Sequence, residues 1–481
     1  MRRGARLALA AAILAGCGVA AGLFAAERAG VMPRTLAPYI EKRSSGHNAV
    51  IVGAGQFASR SLLALDRGAP GGVTPDLAPE LAALTLGAQP GAAGTPGLDA
   101  GLVRDVAGLR AAMAAATPGT TITLAPGSYR IEHRALEASR PGGAQAPIVV
   151  RAARPGTVTL SATVPVAIRV NAPHWRFENL TVDGACAAHD DCEHAFQVTG
   201  AASHFAAVNN TLQGFNAHFK INGAGGRFPD HGLIEANTLS NPAPRATRKP
   251  VTPIDLVAAS DWTVRGNIIR DFLKAGGDRI SYGAFAKGGG SGNLFERNLV
   301  WCEQALAGQP GQRVGLSLGG GGTGKPYCRD GRCITEQERG VLRANLVVGC
   351  SDVGIYLNSA ADTRIEDNTL VDTAGIDVRF ATSSALIDGN LVDGPIRSRD
   401  GGLLHLGDNR DAALWRSYAG LHPVRSLFAA PASADFRWKD SAPARAERAK
   451  PRQDGVDLCG APRSQAKAYG AFEDFGACLR R

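Results

Sequence analysis

Charged and aromatic side chains occupy the polar positions of short segments in which apolar and polar residues alternate. The predicted inward residues are Phe219, Ile221, Ile254, Leu256, Ile355, Leu357, Ile376, Val378 and Phe380. If these residues form a core, the residues between them lie outward on one face of a sheet. The predicted outward residues are Lys220, Asp255, Tyr356, Asp377 and Arg379. Cations, carboxylates and an aromatic ring on one face suit a linear, carboxylated saccharide, and an ordinary solvated sheet face shows the same pattern.

A second group contains potential metal ligands. Asp190, Asp191 and Glu193 lie beside His189 and His194 in a short stretch. Carboxylates and imidazoles at this density can bind a divalent cation, and the three acidic residues are the candidate ligands. An exposed polar loop explains the same composition.

Asparagine followed by an apolar residue, or by Thr-Leu, recurs down the middle of the chain. The copies are Asn179, Asn210, Asn237, Asn267, Asn298, Asn345, Asn368 and Asn390. Their spacing varies from 22 residues (368 to 390) to 47 residues (298 to 345), as in a stacked solenoid that accommodates insertions. Coils of a solenoid stack at roughly 4.8 Å, so each Asn amide would lie above its copy and bond to it. Strand and turn repeated without helices predict a parallel β-helix.

The predicted fold class is therefore all-β, a single-stranded right-handed parallel β-helix with an N-terminal helical cap. The solenoid is predicted over residues 101–435, between an Ala/Gly/Pro-rich segment at 30–100 and a capping tail at 436–481. Residues 105–115 have the pattern of an amphipathic helix that would cover the open end. Residues 426–428 and 434–437 are predicted to form the closing coil.

The N-terminal residues predict export. Arg2, Arg3 and Arg6 precede an uncharged stretch at residues 7–26, which is long enough for an export signal or a bilayer span. Residues 14–17 resemble a bacterial lipobox, in which Cys17 would be acylated. A cleaved signal peptide, a lipoprotein and a retained anchor within residues 1–29 remain open. In each of them the rest of the chain is exported, to the periplasm, the outer membrane or the medium.

The other eight cysteines form an even set, which is typical of disulfides in an exported protein. The predicted pairs are Cys186 with Cys192, Cys328 with Cys333, Cys302 with Cys350, and Cys459 with Cys478. Cys302 and Cys350 follow ladder asparagines at offsets of four and five, which places them on neighbouring coils. Unpaired buried thiols and a zinc site are the alternatives.

Three segments near the start of the predicted solenoid resemble a known family. Residues 119–129, 146–152 and 155–158 are similar to the first coils of the chondroitinase B-like polysaccharide lyases, which include alginate lyases and have the pectate lyase-like fold. The resemblance covers roughly residues 101–435. It implies cleavage of uronate-containing chains by β-elimination, with a Lys as base, a nearby Arg, and in many members Ca²⁺ on the substrate carboxylate.

Residues 280–298 resemble the segment that carries the family's Lys, which implies that Lys287 is the base. The family's Arg-His pair would follow a strand resembling residues 314–318, where this chain has a glycine run at 319–324. Arg313 and Arg279 are the candidates to assist, because a neighbouring cation lowers the pKa of a Lys and pairs with a carboxylate. A surface lysine at a turn is the alternative for Lys287.

The chain carries a net charge of +9. This charge favours an acidic polysaccharide as the partner, and nothing resembling a nucleic-acid-binding module accompanies it. We predict an exported monomer that cleaves such a polysaccharide by β-elimination. The alternatives are a non-catalytic envelope protein that binds or assembles glycan, and a hydrolase or epimerase that uses Asp255 or Asp377. The lyase requires a cation within a few ångströms of Lys287.

Overall fold

Three parallel sheets wind around one core in the computed structural model, which describes residues 13, 16–18, 21–68, 83–90, 98–320, 322–439, 455–463 and 468–479; residues 98–100 are described by their backbone alone. Sheet A has twelve strands, sheet B ten and sheet C eleven. Each strand pairs in parallel with the equivalent strand of the next coil. The molecule is a parallel β-helix, as the alternation and the asparagine repeat predicted.

The strands are numbered in chain order. Sheet A contains β1 (Leu98–Val103), β2 (Thr120–Leu124), β5 (Ile148–Ala152), β8 (Trp175–Glu178), β11 (Ala206–Val208), β14 (Leu233–Glu235), β17 (Thr263–Arg265), β21 (Leu294–Glu296), β25 (Val341–Arg343), β29 (Thr363–Glu366), β32 (Ser384–Asp388) and β35 (Leu403–Leu406). Sheet B contains β4 (Leu136–Ala138), β7 (Val166–Val170), β10 (His194–Thr199), β13 (Ala217–Asn222), β16 (Ile254–Val257), β19 (Ile280–Lys287), β23 (Gln312–Gly319), β27 (Ile355–Asn358), β31 (Ile376–Arg379) and β34 (Ile396–Arg399). Sheet C contains β3 (Gly127–Ile131), β6 (Val158–Ala162), β9 (Thr181–Gly184), β12 (Thr211–Gln213), β15 (Thr238–Ser240), β18 (Ile268–Arg270), β22 (Leu299–Trp301), β26 (Leu346–Val348), β30 (Thr369–Val371), β33 (Leu391–Val392) and β36 (Arg410–Asp411). Two small sheets contain β20 (Gly290–Ser291), β24 (Gln337–Glu338) and β28 (Ala360–Ala361), and the antiparallel pair β37 (Phe428–Ala430) and β38 (Asp435–Trp438).

The core consists of side chains that point inward at alternate positions of the three sheets. Phe196 of β10 stacks on Phe219 of β13 with ring centroids 5.3 Å apart, so equivalent residues of successive coils lie on one another. Burial of such a ring contributes roughly 1.5–3 kcal/mol. The predicted inward residues are fully buried, except Phe380. Phe380 follows the end of β31 with a φ of 70°, and its ring lies 4.3 Å from the Arg379 guanidinium.

The predicted asparagine ladder is present, but its first and last members differ from the prediction. It begins where the Leu180 backbone donates to Asn210 Oδ1 (3.0 Å), and it ends where Asn390 Nδ2 donates to Asn409 Oδ1 (2.9 Å). The predicted first member, Asn179, lies one position off, because Asn209 Nδ2 donates to Asn179 Oδ1 (2.7 Å). Arg410 follows Asn409, so the asparagine-apolar pattern did not include this last member.

The helices whose two ends lie in the described residues are α1 (Pro33–Ser44), α2 (Ala49–Arg67), α3 (Val106–Ala115) and α4 (Trp415–Tyr418), and residues 21–29 are also helical. Short 3-10 helices lie at His189–Asp191, Lys325–Tyr327, Arg425–Leu427, Pro431–Ser433 and Phe475–Cys478. Helix α3 is the predicted cap. Asp105 caps its N-terminus by accepting from the Gly108 backbone (2.7 Å), and Leu109 and Met113 are buried in the core.

The C-terminal end differs from the prediction. The last coil is formed by β34, β35 and β36 and ends at Asp411. Residues 426–437 do not form a coil, because β37 and β38 pair with each other in antiparallel orientation. Together with Phe472 and Phe475 they cover the outer face of sheet C, against residues such as Trp301. The apolar spacing that suggested a closing coil therefore belongs to a side layer.

Helices α1 and α2 form a hairpin that binds the side of the solenoid. Arg34 is buried, pairs with Asp66 (2.6 Å) and Asp372 (3.0 Å), and donates to the Cys350 carbonyl (2.9 Å). Arg67 extends this network by pairing with Asp372 (2.9 Å) and Glu303. The hairpin is thus anchored to coils from the second half of the solenoid, far from the end that α3 covers.

All four predicted disulfides are present. Cys302–Cys350 joins two coils, Cys186–Cys192 and Cys328–Cys333 close short loops, and Cys459–Cys478 joins the tail to itself. Cys17 has a free, exposed thiol. Within the described ranges, no helix combines the length and apolarity that crossing a bilayer requires.

Candidate functional site

Two rows of side chains lie on the outer face of sheet B. The Lys220 row consists of Lys220, Asp255, Phe285, Ser317, Tyr356, Asp377 and Arg397, which are partners on successive strands. Two residues further along each strand is the Lys287 row, which consists of Asn222, Val257, Lys287, Gly319, Asn358, Arg379 and Arg399. The pairing of Ala286 with Leu318 puts Lys287 level with Gly319. The structure therefore places four predicted binding residues in the first row, and Arg379 with Lys287 in the second.

The charged groups of the Lys220 row are mostly paired and buried. Lys220 Nζ lies 2.8 Å from Asp255 Oδ2. Asp377 is 1% exposed and lies between Arg397 (3.3 Å) and Arg399 (3.1 Å). The row is thus a packed floor rather than an open groove, and its two carboxylates are held in ion pairs.

Tyr356 is also covered. It belongs to a buried apolar cluster with Met32 and Leu414, and its hydroxyl accepts from Asn358 Nδ2 and Arg379 Nη1, each at 3.2 Å. The outward direction predicted for Tyr356 is correct, yet residues from outside the solenoid bury it. Its structural role is to support Arg379 in the neighbouring row.

Lys287 is half-buried at the end of β19. Its ammonium lies 4.5 Å above the Phe285 ring, and its aliphatic stem crosses Gly320, where a Cβ atom would lie 2.6 Å from Lys287 Cδ. A side chain at position 320 would therefore displace Lys287. Among the residues that the structure describes, the Lys287 ammonium has no hydrogen-bond or ion-pair partner.

The glycine run beyond Gly320 binds one of the chain's own carboxylates. Glu336, which is buried, accepts from the backbone N–H groups of Gly322 (2.9 Å) and Thr323 (3.2 Å) and from the Thr323 hydroxyl (2.7 Å). Successive backbone N–H groups form a concave anion site. In this protein Glu336 fills that site, which fixes the loop next to Lys287.

The two predicted assisting arginines lie away from Lys287. Arg313 aligns with Ser281, six residues before Lys287 on β19, so the separation along the strand is roughly 20 Å. Arg313 is buried and pairs with Glu303 (2.5 Å). Burial lowers the pKa of Arg313, and the Glu303 carboxylate opposes that effect. Arg279 lies at the same distant end, where its Nε donates to the Ala275 carbonyl (3.2 Å).

Another arginine approaches the turn after Lys287. The Arg329 backbone donates to the Gly288 carbonyl (2.8 Å). Its guanidinium, however, binds both oxygens of Asp230 (2.7 Å each) and lies 4.4 Å from the Phe228 ring. This bidentate pair neutralises the cation, so Arg329 fixes the loop.

The side chains of the three predicted metal ligands do not point toward a common position. Glu193 pairs with Lys249, and Asp190 Oδ1 accepts from the Thr247 hydroxyl. Asp191 is exposed on the 3-10 helix that the Cys186–Cys192 disulfide closes. Nowhere in the described part of the chain do three His, Cys, Asp or Glu side chains come together as a metal would require. The three predicted carboxylates therefore do not form a shared metal site.

Sequence reasoning missed Arg397 and Arg399. Strand β34 reads Ile-Arg-Ser-Arg, so it has one apolar residue where the other strands of sheet B have two or more. The spacing along the chain could have identified this strand, because β34 starts 20 residues after β31, close to the shortest spacing between ladder asparagines. That spacing would have placed both arginines on the outer face.

Solved structures with a similar fold include several enzymes that act on polysaccharides. The pectate lyase Pel9A is 15% identical with a TM-score of 0.45, over 76% of this chain and 90% of the lyase. An alginate lyase from Paenibacillus sp. str. FPU-7 is 13% identical with a TM-score of 0.34, over 64% and 98%. The A-module of the mannuronan C-5 epimerase AlgE4 from Azotobacter vinelandii is 13% identical with a TM-score of 0.35, over 66% and 95%. No protein-family model and no curated protein matches this chain.

Proposed function

We propose that this protein binds a linear acidic polysaccharide along the Lys287 row. The observation that carries the proposal is the alignment of Lys287, Arg379 and Arg399 on one outer row of sheet B. Strands in a sheet are roughly 4.8 Å apart, so Arg379 lies roughly 14 Å from Lys287 and Arg399 roughly 5 Å beyond. Cations aligned along a straight surface are electrostatically complementary to the carboxylates of an extended acidic chain.

Lys287 and Arg379 are available to a ligand, whereas Arg399 pairs with the buried Asp377 (3.1 Å). Lys287 has no partner in the described residues, and Arg379 pairs with Asp400 (2.6 Å), whose side chain is 47% exposed. Exposed ion pairs contribute little stability, so a glycan carboxylate can replace Asp400 at small cost. Between them, Gly319 has no side chain and is buried against Asn358, because a Cβ atom there would lie 1.9 Å from the Asn358 carbonyl oxygen.

β-Elimination with Lys287 as the base is the second candidate, which the position of Lys287 on the outer row without an ion-pair partner in the described residues favours. A neutral Lys287 amine would take the proton α to a uronate carboxylate, while the bond from the β carbon to the glycosidic oxygen breaks and a carbon–carbon double bond forms. The leaving oxygen takes a proton. The charge that develops on the carboxylate needs a cation close by. Because Arg379 lies roughly 14 Å away and Arg329 is paired with Asp230, binding ranks ahead of cleavage.

We further propose export, with the N-terminal segment as signal or anchor and the partner outside the cytoplasm. Four disulfides support this placement, because disulfides persist in oxidising compartments. Ca²⁺ as a cofactor of cleavage remains part of the same proposal, and the experiment below includes it.

The test measures binding of the full chain to polygalacturonate, alginate and a neutral glucan. We expect Lys287→Gln/Arg379→Gln to weaken binding of one acidic polymer about tenfold, since each exposed charge contact is worth about 0.5–1 kcal/mol. Lys42→Gln/Arg130→Gln removes the same charge elsewhere and serves as the matched control. Failure of every acidic polymer to bind would refute the proposal.

The same samples decide between binding and cleavage. Ultraviolet absorbance of unsaturated products is followed with and without Ca²⁺. A rise that Lys287→Gln abolishes would establish elimination and assign the base. Binding without any rise would leave a glycan-binding protein.

A further inference from the structure

A cavity of about 1040 Å³ lies at the last coil, away from Lys287. One wall is the end of the solenoid, with residues 396–400 and 410–411. The other wall is built from residues 27–31, 413–414 and 416, which do not belong to the solenoid. The volume is at the upper end of the range for small-molecule sites.

One hydrogen bond joins the two walls, and two others hold the segments of the non-solenoid wall to each other. Arg397 Nη1 donates to the Gly30 carbonyl, across the edge of β34. The Trp415 backbone donates to Glu27 Oε2 (2.8 Å), and the Tyr418 hydroxyl donates to the Val31 carbonyl (2.8 Å). The cavity is therefore built into the fold.

The charge of the lining is mainly positive. Its guanidinium groups belong to Arg28, Arg397, Arg399, Arg410 and Arg416. Its carboxylates belong to Glu27, Asp400 and Asp411. A planar guanidinium binds carboxylate or phosphate oxygens in pairs, so the lining suits an anionic ligand.

Three of these arginines have no carboxylate partner within the described ranges. Arg28 lies 5.2 Å from the Phe24 ring, and Arg416 lies 5.6 Å from the Trp415 ring. Arg410 lies on β36, the last strand of sheet C. Their donors are free to bind a ligand, whereas Arg397 and Arg399 are partly neutralised by Asp377.

The cavity continues the Lys287 row. Arg399 belongs both to that row and to the lining, and the wall at residues 27–31 crosses the edge of sheet B beyond it. A chain lying along the row would stop at this wall. We propose that the cavity binds the anionic terminal residue of an acidic oligosaccharide, an inference that rests on the proposed function.

The test compares short and long ligands on the full chain by calorimetry. We expect Arg410→Gln/Arg416→Gln to weaken binding of trigalacturonate about tenfold, which corresponds to two exposed charge contacts. The loss should be smaller for polygalacturonate, which has few ends per mass and more contacts along the row. Lys42→Gln/Arg130→Gln is the matched control, and unchanged melting temperatures verify folding.

The outcomes separate the two proposals. If a folded Arg410→Gln/Arg416→Gln variant binds trigalacturonate as well as wild type, while Lys287→Gln/Arg379→Gln loses the polymer, the proposed function stands and the cavity assignment is overturned. If inorganic phosphate displaces trigalacturonate at equal concentration, the cavity is a site for a free small anion, which also overturns the assignment. If wild type binds neither trigalacturonate nor any of the acidic polymers, both proposals fail.

Discussion

At the scale of single residues, the buried polar side chains obtain their partners from neighbouring coils. Asn298 is typical: its Nδ2 donates to Asn345 Oδ1 (3.0 Å) and to the Val264 carbonyl (2.9 Å), and its Oδ1 accepts from Asn267. A buried amide left without such partners costs about 1–3 kcal/mol. The ladder thus satisfies the same polar position in every coil it joins.

His218 predicts a pH dependence of stability. It is fully buried, its Nε2 donates to the Ser240 carbonyl (3.1 Å), and burial lowers its pKa to about 3. The unfolded chain, in which His has its ordinary pKa of 6.5, therefore binds more protons between these two values. His218 thus lowers the free energy of unfolding as the pH falls through this window, by up to about 1.4 kcal/mol per pH unit.

The measurement is urea unfolding of wild type and His218→Gln between about pH 4 and 6. The amide of Gln can donate to the same carbonyl but does not titrate there, so the variant should show the shallower slope. His405→Gln, at an exposed histidine, is the control. Parallel slopes for wild type and His218→Gln would contradict the buried neutral imidazole.

At the scale of elements, the hairpin of α1 and α2 depends on a set of ion pairs with the solenoid. Asp372 is its centre, with Arg67 at 2.9 Å, Arg34 at 3.0 Å and Arg425 at 3.4 Å. Burial alone would raise the pKa of Asp372, but these three guanidinium groups outweigh it and hold the pKa well below its usual range. The stabilisation is therefore present above pH of about 4 and is lost as the pH falls toward the folded-state pKa.

We expect Asp372→Asn to cost about 3 kcal/mol, because it leaves buried guanidinium charge without a counter-charge. Hydrogen exchange should show loss of protection across residues 33–67 before the sheets exchange. Asp362→Asn, at an exposed turn of the solenoid, is the control and should leave the hairpin protected. Unchanged protection in Asp372→Asn would mean that apolar contacts alone hold the hairpin.

At the scale of the whole molecule, the disulfides act through chain connectivity. Cys302–Cys350 closes a loop with a sequence separation of 48, whereas Cys328–Cys333 has a separation of 5. In the chain-entropy account, the long loop stabilises the fold by about 4 kcal/mol and the short one by about 2 kcal/mol. The long insertion between two coils is thus the connection that most needs a covalent bond.

We therefore expect Cys302→Ala/Cys350→Ala to lower the free energy of unfolding about 2 kcal/mol more than Cys328→Ala/Cys333→Ala does. Urea unfolding of the two double variants under identical conditions measures the difference. Equal losses would show that strain or packing, and not loop closure, governs these bonds.

The sequence alone determined the fold, the disulfides and the helical cap. These features rest on local periodicity and on spacing along the chain. Alternation identified the inward residues of sheet B, and the ladder offsets put Cys302 above Cys350. The inward direction predicted for Phe380 was wrong, because its positive φ turns the backbone after the strand. Alternation along the sequence does not reveal such a turn.

Only the tertiary structure decided the composition of the candidate site. The register between strands places Arg399 beside Arg379. It also separates Arg313 from Lys287 by roughly 20 Å along the strand. Residues far away in sequence then determined exposure, since Met32 and Leu414 belong to the buried cluster that contains Tyr356. A repeat in the sequence specifies which face a side chain occupies, whereas its charge partners and its access to a ligand depend on the segments that fold back over that face.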